Sequence, residues 1–541
     1  MKYIFFLLSF LLLIPGLIGC NSKGTTDKTV FRYNQVGGLE TLDPAFAKNL
    51  SIMWGVKFIY NTLVEVDSSL KIQSSLAKNW EVSEDGLDYT FHLHSNVYFQ
   101  DNELFTNGKG RKMTADDVVF SFERLVAPQT ASSGAWIFND RIRPNKPFEA
   151  IDDSTFVIHL VRPFGPLLEV LSMPYCAIVP KEVVQKWGKD FRNHPCGTGP
   201  FQMKYWDEGN TLVLHKNPNY WEQDEQGNRL PYLDAVQVSF NESKATEFLL
   251  FLQGNLDFVN GLDGSFKDIV LHKDGSLKEK WQSEIQLDKR IYLNTEYIGI
   301  LQDTTSVTIK DSDLKFQLVR QAINYAIDRQ KIVTYFRNGI GIPAEKGFVP
   351  IGMPGTEQSI TKGYTYDPQK AQELLRKAGF PNGKGLRPIE LLTPEGNVDV
   401  CNFIVSQLNN IGIPAKVQVM QPGILRQEMS RSMAPFFKAQ WIADYPDAET
   451  YLAFFYSKLP APPNYTRFEN AQYDAWYEAS MATTDDQLRL QLYGKMDSLA
   501  SECAAIVPLF YDELLHFTHK NITGLKTTSL NMIDIKSVHK Q

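Results

Sequence analysis

The chain has 541 residues, 43% of them hydrophobic and 22% charged, and a net charge of -7. At ~150 residues per domain this length allows two to four domains, and the acidic balance leaves no electrostatic footprint for a nucleic acid. An aromatic share of 12% suits a protein that lines a large cleft as well as a core.

At the N-terminus, Lys2 precedes an apolar run from Ile4 to Ile18 that ends in Leu17-Ile18-Gly19-Cys20. A charged start, a short apolar core and small residues before a cut are the parts of a secretory signal. A cysteine directly after Gly19 resembles a bacterial lipobox. The run falls short of the ~20 apolar residues of a membrane span. The expectation is a signal peptide over 1–19, lipid on Cys20 and a mature protein working outside the cytoplasm.

After a polar tether, Asn21 to Lys28, strand-like and helix-like segments alternate. Val30 to Val36 and Tyr89 to His94 read as strands, the second with Tyr89, Phe91 and Leu93 on one face. Thr114 and Asp117 form a capping pair before Val118, Phe122, Leu125 and Val126 at helical spacing. Pro180 opens a short helix through Trp187. Asp313 precedes a longer one, with Leu314, Leu318 and Ala322 on one face and an end near Arg329. Asp367-Pro368 starts a helix that Gly379 stops, and another ends at Ile411-Gly412 before a strand over Ala415 to Val419. Asn107 to Gly110 and Asn382 to Gly385 read as turns. The mixture predicts α/β domains with mixed sheets.

An exported chain can keep disulfides. Cys176 and Cys196 bracket a stretch rich in turn formers and are the candidate pair, a closure worth ~3 kcal/mol in the chain-entropy model. Cys401 and Cys503 sit in apolar helical patterns and read as buried thiols. No CxxC occurs, so no structural zinc is indicated.

Catalytic signatures are missing: no G-x-S-x-G, no H-E-x-x-H, and a Gly379 to Lys384 stretch with the wrong spacing for a phosphate loop. His92 with His94, and His516 with His519, lack further ligands at metal-site spacing and read as solvated or hydrogen-bonding histidines. No cofactor or metal is called for.

A series of segments then carries the functional reading. In order they are Leu39 to Pro44, Tyr60-Asn61-Thr62-Leu63, Leu76 to Leu93, Thr114 to Phe122, Gly197-Thr198-Gly199-Pro200-Phe201, Asn217-Pro218-Asn219-Tyr220-Trp221, Arg320 to Arg329, and Trp441-Ile442-Ala443-Asp444-Tyr445-Pro446-Asp447. Together they resemble the family 5 extracellular solute-binding proteins of ABC importers, the oligopeptide and dipeptide binders, over nearly the whole mature chain. Most have local readings: Gly197 to Pro200 as a turn whose glycines relieve backbone strain where the chain crosses between domains, Tyr220-Trp221 as core or domain seam, Arg320 to Arg329 as a packing helix.

The resemblance implies a bilobal α/β fold, periplasmic-binding-protein-like II, with three domains. The first is assembled from 21–64, 195–295 and 509–541, the second is 65–194 and the third 296–508. The lobes would close on a ligand by hinge motion and present it to a permease, as a monomer, with no chemistry required. In the oligopeptide-binding branch the segment matching Trp441 to Tyr445 runs beside the ligand, and the residue matching Asp444 takes the peptide α-ammonium. A buried unpaired charge is costly, so a fixed carboxylate replaces the lost water. Gln440 to Ile442 could supply an edge for main-chain hydrogen bonds and Trp441 a wall, while Asp447 reads as the cap of a helix beginning near Ala448.

Two departures shape the expected ligand. Dipeptide binders commonly place an Arg for the ligand carboxylate in the segment matching Glu395 to Asn402, which here has none; oligopeptide binders carry a basic residue at the position of Lys438. This favours longer peptides, with Lys438 and Arg431 as carboxylate partners. Asp88 and His94 also stand where the family usually shows a small hydroxyl residue and a base. Rival readings are another solute on the same fold (a nickel complex, haem, a sugar, an antibiotic), a surface hydrolase, or a chaperone-like lipoprotein.

Overall fold

The computed structural model describes residues 29–356 and 361–541. The signal segment, Cys20 and the tether lie outside the described residues.

Two long strands organise the molecule. Ile285–Ile300 and Ile506–His519 run antiparallel from the Ile285/His519 pair to the Gly299/Ile506 pair, with the register shifting between Ile291 and Thr295. They form the middle of an eleven-stranded mixed sheet. On one side Val30–Asn34 pairs in parallel with Ala235–Ser239. On the other, Phe436–Ile442 pairs antiparallel with Ile285–Ile300, and Ile389–Thr393 pairs in parallel with Ala415–Val419. A separate four-stranded antiparallel sheet is built from Ala77–Val82, Asp88–Leu93, Thr155–His159 and Phe148–Asp152. In Asp88–Leu93 the apolar Tyr89, Phe91 and Leu93 are buried and the alternate residues partly exposed, the period-2 pattern of a half-buried strand.

The helices follow their sequence signals. Ala115–Val126 starts at Thr114, whose N–H donates to the Asp117 carboxylate at 3.0 Å. In Pro368–Lys377, the Asp367 carboxylate accepts from the Lys370 N–H at 2.8 Å. The helix expected to reach Arg329 is instead Gln317–Ala326. At its end the buried Arg329 guanidinium turns back, donating to Asn324 O at 3.0 Å and Ile327 O at 3.3 Å, and reaches across to Pro508 O of the strand Ile506–His519 at 2.6 Å. A cation on the last carbonyls is a C-terminal cap.

One apolar cluster, with Phe31, Trp54, Phe58, Phe91, Phe122 and Phe156, joins the segments up to Phe258 with the C-terminal Ile522, Ile533, Ile535 and Val538. A second, with Ile298, Ile323, Leu375, Ile404 and Phe436, and a third, with Tyr297, Phe348, Phe437, Tyr451 and Phe454, flank Phe436–Ile442. Tyr445 crosses between them: it packs into the first cluster, stacked on Trp136 with centroids 6.3 Å apart.

Two sequence expectations are corrected here. Cys176 and Cys196 are free, buried thiols, not a bridge; their sulfurs face different carbonyls, Val170 O at 3.8 Å and Gln100 O at 3.6 Å. Burial holds both thiols neutral, the Cys196 thiol pushed up to about 12. Cys401 is buried as expected and Cys503 half-buried. The glycines of Gly197-Thr198-Gly199-Pro200 are required for space and not for backbone conformation. A Cβ on Gly197 would lie 2.2 Å from Ile59 O, and one on Gly199 2.5 Å from the Ile59 carbonyl carbon, so two backbones touch where a side chain cannot fit.

Candidate functional site

Between these clusters lies a cavity of about 410 Å³, lined by residues from several separate stretches of chain. The helix Leu50–Ile59 with the following Tyr60 to Thr62 forms one wall; Glu65, Val66, Ser75, Ser172 to Pro174 and Ala177 form another; Ile442 to Asp444 with Tyr292 and the C-terminal run from Thr528 to Lys536 close it, with Pro200 and Tyr220 between. Most of the surface is apolar, and Met53, Met173 and Met532 give it adaptable, polarizable side chains. The volume sits toward the lower end of the ~300–1,000 Å³ typical of small-ligand sites.

Asp444 reaches the cavity because of how its strand ends. Phe436–Ile442 holds register to the Ile442/Asn294 pair, the Ala443 N–H adds a bond to Leu293 O at 2.9 Å, and the chain then turns through Tyr445-Pro446 into the short helix Glu449–Leu452. Asp444 is left on the cavity wall. Its carboxylate has no hydrogen bond and no ion pair among the described residues, while its N–H reaches Thr450 Oγ1 at 3.4 Å. Asp444 is exposed where it borders the cavity, yet the protein packed around it raises its carboxyl to about 6, with nearby Glu449 acting in the same direction.

The other expected residues divide. Ile442 lines the cavity beside Asp444. Trp441 does not: its Nε1 donates to Thr450 O at 2.8 Å and its ring packs edge-on against Phe454 at 5.2 Å, making it part of the third apolar cluster. Gln440 is exposed outside the cavity, although beyond Phe437 the outer edge of its strand pairs with no other strand among the described residues. Lys438 is corrected: its side chain is 2% exposed and is ion-paired with Glu296, also donating to Ala439 O at 2.9 Å. Arg431 is corrected too, standing exposed at the end of the helix Pro422–Ser430 with its guanidinium beside the Gln427 amide. Asp447 stands one residue before the N-cap Ala448 and accepts from the Glu449 N–H at 2.8 Å, and is also ion-paired with Arg489 at 3.1 Å.

Tyr220 is both buried and on the cavity wall, donating to Glu222 at 2.6 Å. The histidine pairs go separate ways: His94 stacks on Trp221 at 4.9 Å, the buried His516 meets Asn531 Oδ1 at 3.0 Å, and His519 meets Phe251 O at 2.9 Å.

The sequence reading missed the helix Leu50–Ile59 and the C-terminal run. A signal existed for the helix: Asn49 accepts from the Ile52 N–H at 3.1 Å as its cap, and Leu50, Met53 and Lys57, at i, i+3 and i+7, share the face turned to the cavity. The C-terminal run carries no pattern that would mark it as a wall.

Comparison with known proteins decides what kind of site this is. The family model of the bacterial extracellular solute-binding proteins, family 5 (middle), matches residues 71–462. The chain belongs to that family. It is a solute-binding protein and not an enzyme. Among its curated relatives is the glutathione-binding protein GsiB of Salmonella typhi, 28% identical over 495 residues, covering 90% of this chain and 89% of that one. Similar solved structures include the periplasmic binding protein DppA from Helicobacter pylori in complex with the peptide STSA, with a TM-score of 0.75, 26% identity and coverage of 95% of this chain and 98% of that one. HbpA2 from Haemophilus parasuis, 24% identical, has a TM-score of 0.80 over 95% of this chain and 100% of that one. The bilobal, type II periplasmic-binding-protein fold implied by the sequence is thereby established. No helix among the described residues is long and apolar enough to cross a membrane.

Proposed function

We propose that this chain captures short oligopeptides with a free amino end in the cavity at Asp444 and delivers them to the permease of an ABC importer. One observation carries the reading: the Asp444 carboxylate, with no ion pair among the described residues and raised to about 6 by the protein around it, opens onto an otherwise largely apolar cavity. An α-ammonium would make a charge-assisted hydrogen bond to it, and a peptide brings one whatever its side chains. The unpaired strand edge at Ala439 to Ile442 offers main-chain bonds that ignore side-chain identity, and the methionines suit variable side chains.

The relatives support the same chemistry, since glutathione and the STSA peptide each carry an α-ammonium, and the modest cavity favours the short end of the oligopeptide range. In this reading the two long strands link lobes divided as 21–64, 195–295 and 509–541 with 65–194 on one side, and 296–508 on the other; Cys20 carries lipid that tethers the monomer to the outer face of a membrane. Native mass spectrometry of the purified full-length mature protein tests it. Discrete peptides or glutathione released from the cavity are expected; a metal chelate, haem or a sugar in their place would overturn the peptide reading.

A further inference from the structure

We infer that Lys57 is the residue that receives a carboxylate of the bound ligand, so that the cavity selects zwitterions, with Asp444 taking the ammonium and Lys57 the acid. The inference rests on the peptide reading above and adds the second charge to it.

The argument is a charge census of the cavity. Three cations line it: Lys48, Lys57 and Lys536. Lys536 is already occupied, its ammonium 3.1 Å from Glu65, 2.7 Å from Glu222 and 3.8 Å from Asp534. Lys48 pairs with Glu40 at 2.8 Å and is about half exposed, a rim position where an ion pair contributes little. Lys57 alone among the three forms no hydrogen bond and no ion pair among the described residues. It is only partly exposed. The helix Leu50–Ile59 places it one turn beyond Met53 on the face that looks into the cavity. The acids divide the same way: Glu65 and Asp534 belong to Lys536, and Asp444 is left over. What remains is one cation and one acid that form no ion pair among the described residues, on the wall of a largely apolar cavity, the two contacts that a ligand with one ammonium and one carboxylate would make.

The residues first expected to hold the ligand's acid are unavailable. Lys438 is sealed against Glu296 and Arg431 lies off the cavity, and none of Glu395 to Asn402 lines it. Lys57 has one competing interest, Asp534: burial there is outweighed by the fields of Lys536 first and Lys57 second. With Lys536 at 3.8 Å from that carboxylate, Asp534 keeps a partner when Lys57 turns to a ligand.

The test uses full-length protein, calorimetry and three probes: trialanine, its C-terminal amide and its N-acetyl form, with glutathione as a fourth whose acid can come from either end. A hydrogen-bonded charge pair is worth enough that Lys57→Gln is expected to bind trialanine about ten- to hundredfold more weakly, while its already weaker binding of the amide changes little. Lys57→Arg should restore most of the preference for the acid. Equal loss for acid and amide, or no loss for either, overturns the role of Lys57. If the unmutated protein binds none of the probes, or prefers the N-acetyl peptide, the peptide reading itself fails. For glutathione, loss in Lys57→Gln matching that of trialanine places one of its carboxylates on Lys57; no loss there, with trialanine unaffected as well, counts against the proposal. Thermal unfolding serves as the folding control, because Lys57 makes no internal bond that its removal would break.

Discussion

Asp444 and Asp447 are three residues apart on one turn, and their carboxylates have opposite fates. Asp447 is satisfied by the protein, accepting from the Glu449 N–H and meeting Arg489 at 3.1 Å, with both side chains less than a tenth exposed. The Asp444 carboxylate faces a cavity and has no hydrogen bond or ion pair among the described residues. Asp447 is buried and Asp444 is open to the cavity, although the surrounding protein raises both carboxyls. The distinction lies in whether the opposite charge is supplied by the chain or must arrive with a ligand.

The sharpest way to break this comparison is to neutralise each acid in turn. Asp447→Ala strands a buried guanidinium, which typically costs 3–5 kcal/mol; Asp486, 3.0 Å from the other side of Arg489, softens the loss to about 3 kcal/mol, read as a lowered midpoint in denaturant. Asp444→Asn should leave that midpoint unchanged or raised at pH 8, because it removes a charge whose ionisation burial opposes. Its effect appears in affinity, about two to three decades for a free-amino peptide, with N-acetylated peptides losing little. A destabilised Asp444→Asn with unaltered affinity would reverse the two assignments.

A smaller effect is expected at the crossing that sets the first wall of the cavity against its neighbours. Gly199→Ala places a Cβ 2.5 Å from the Ile59 carbonyl carbon, and because the obstacle is backbone it cannot rotate away. Overpacking of this kind costs about 1–3 kcal/mol. Since Ile59 ends the helix that carries Lys57, denaturant stability and trialanine affinity should fall together; a variant as stable as the unmutated protein would show that the two backbones can separate.

These two sites also mark what was legible in the sequence. Asp444 could be placed because its neighbours form a recognisable segment, and local signals such as Thr114 with Asp117 or Asp367 with Pro368 gave their helices directly. Lys438 could not be judged, because its partner Glu296 lies on another strand, reached through the Ile298/Lys438 pairing, and cross-strand neighbours two residues along are invisible in one strand's sequence. Lys57 was missed for the same reason in reverse: a lysine near a helix end reads as solvated until tertiary packing turns that face toward a cavity. The spacing of Cys176 and Cys196 suggested a loop to be closed, but the core took each thiol separately.

A gentler probe of Asp444 is the proton. With its carboxyl at about 6, a proton competes with the ligand's ammonium. Affinity for free-amino peptides should be level above about pH 7 and fall toward tenfold per unit below about 6. The sign follows from the raised value: the ligand binds the ionised acid, so acid pH weakens binding. Asp444→Asn should abolish this limb of the profile; an unmutated protein with flat affinity from pH 7.5 to 5 would mean that a different group meets the ammonium.

The smallest effect concerns Trp441, which separates a neighbour of the cavity from its wall. If it contributes only through its place in the apolar cluster, Trp441→Phe loses the Nε1 bond to Thr450 O and some packing against Phe454. One neutral hydrogen bond is worth about 0.5–1.5 kcal/mol, so the denaturant midpoint should drop modestly. Thr450 also holds the Asp444 N–H, and a small shift could pass that way, but peptide affinity should stay within about twofold, well under the ~1.4 kcal/mol that marks a decade. A tenfold loss of affinity with stability intact would return Trp441 to the wall of the site, and with it the original reading of the strand Gln440 to Ile442 as one continuous binding surface.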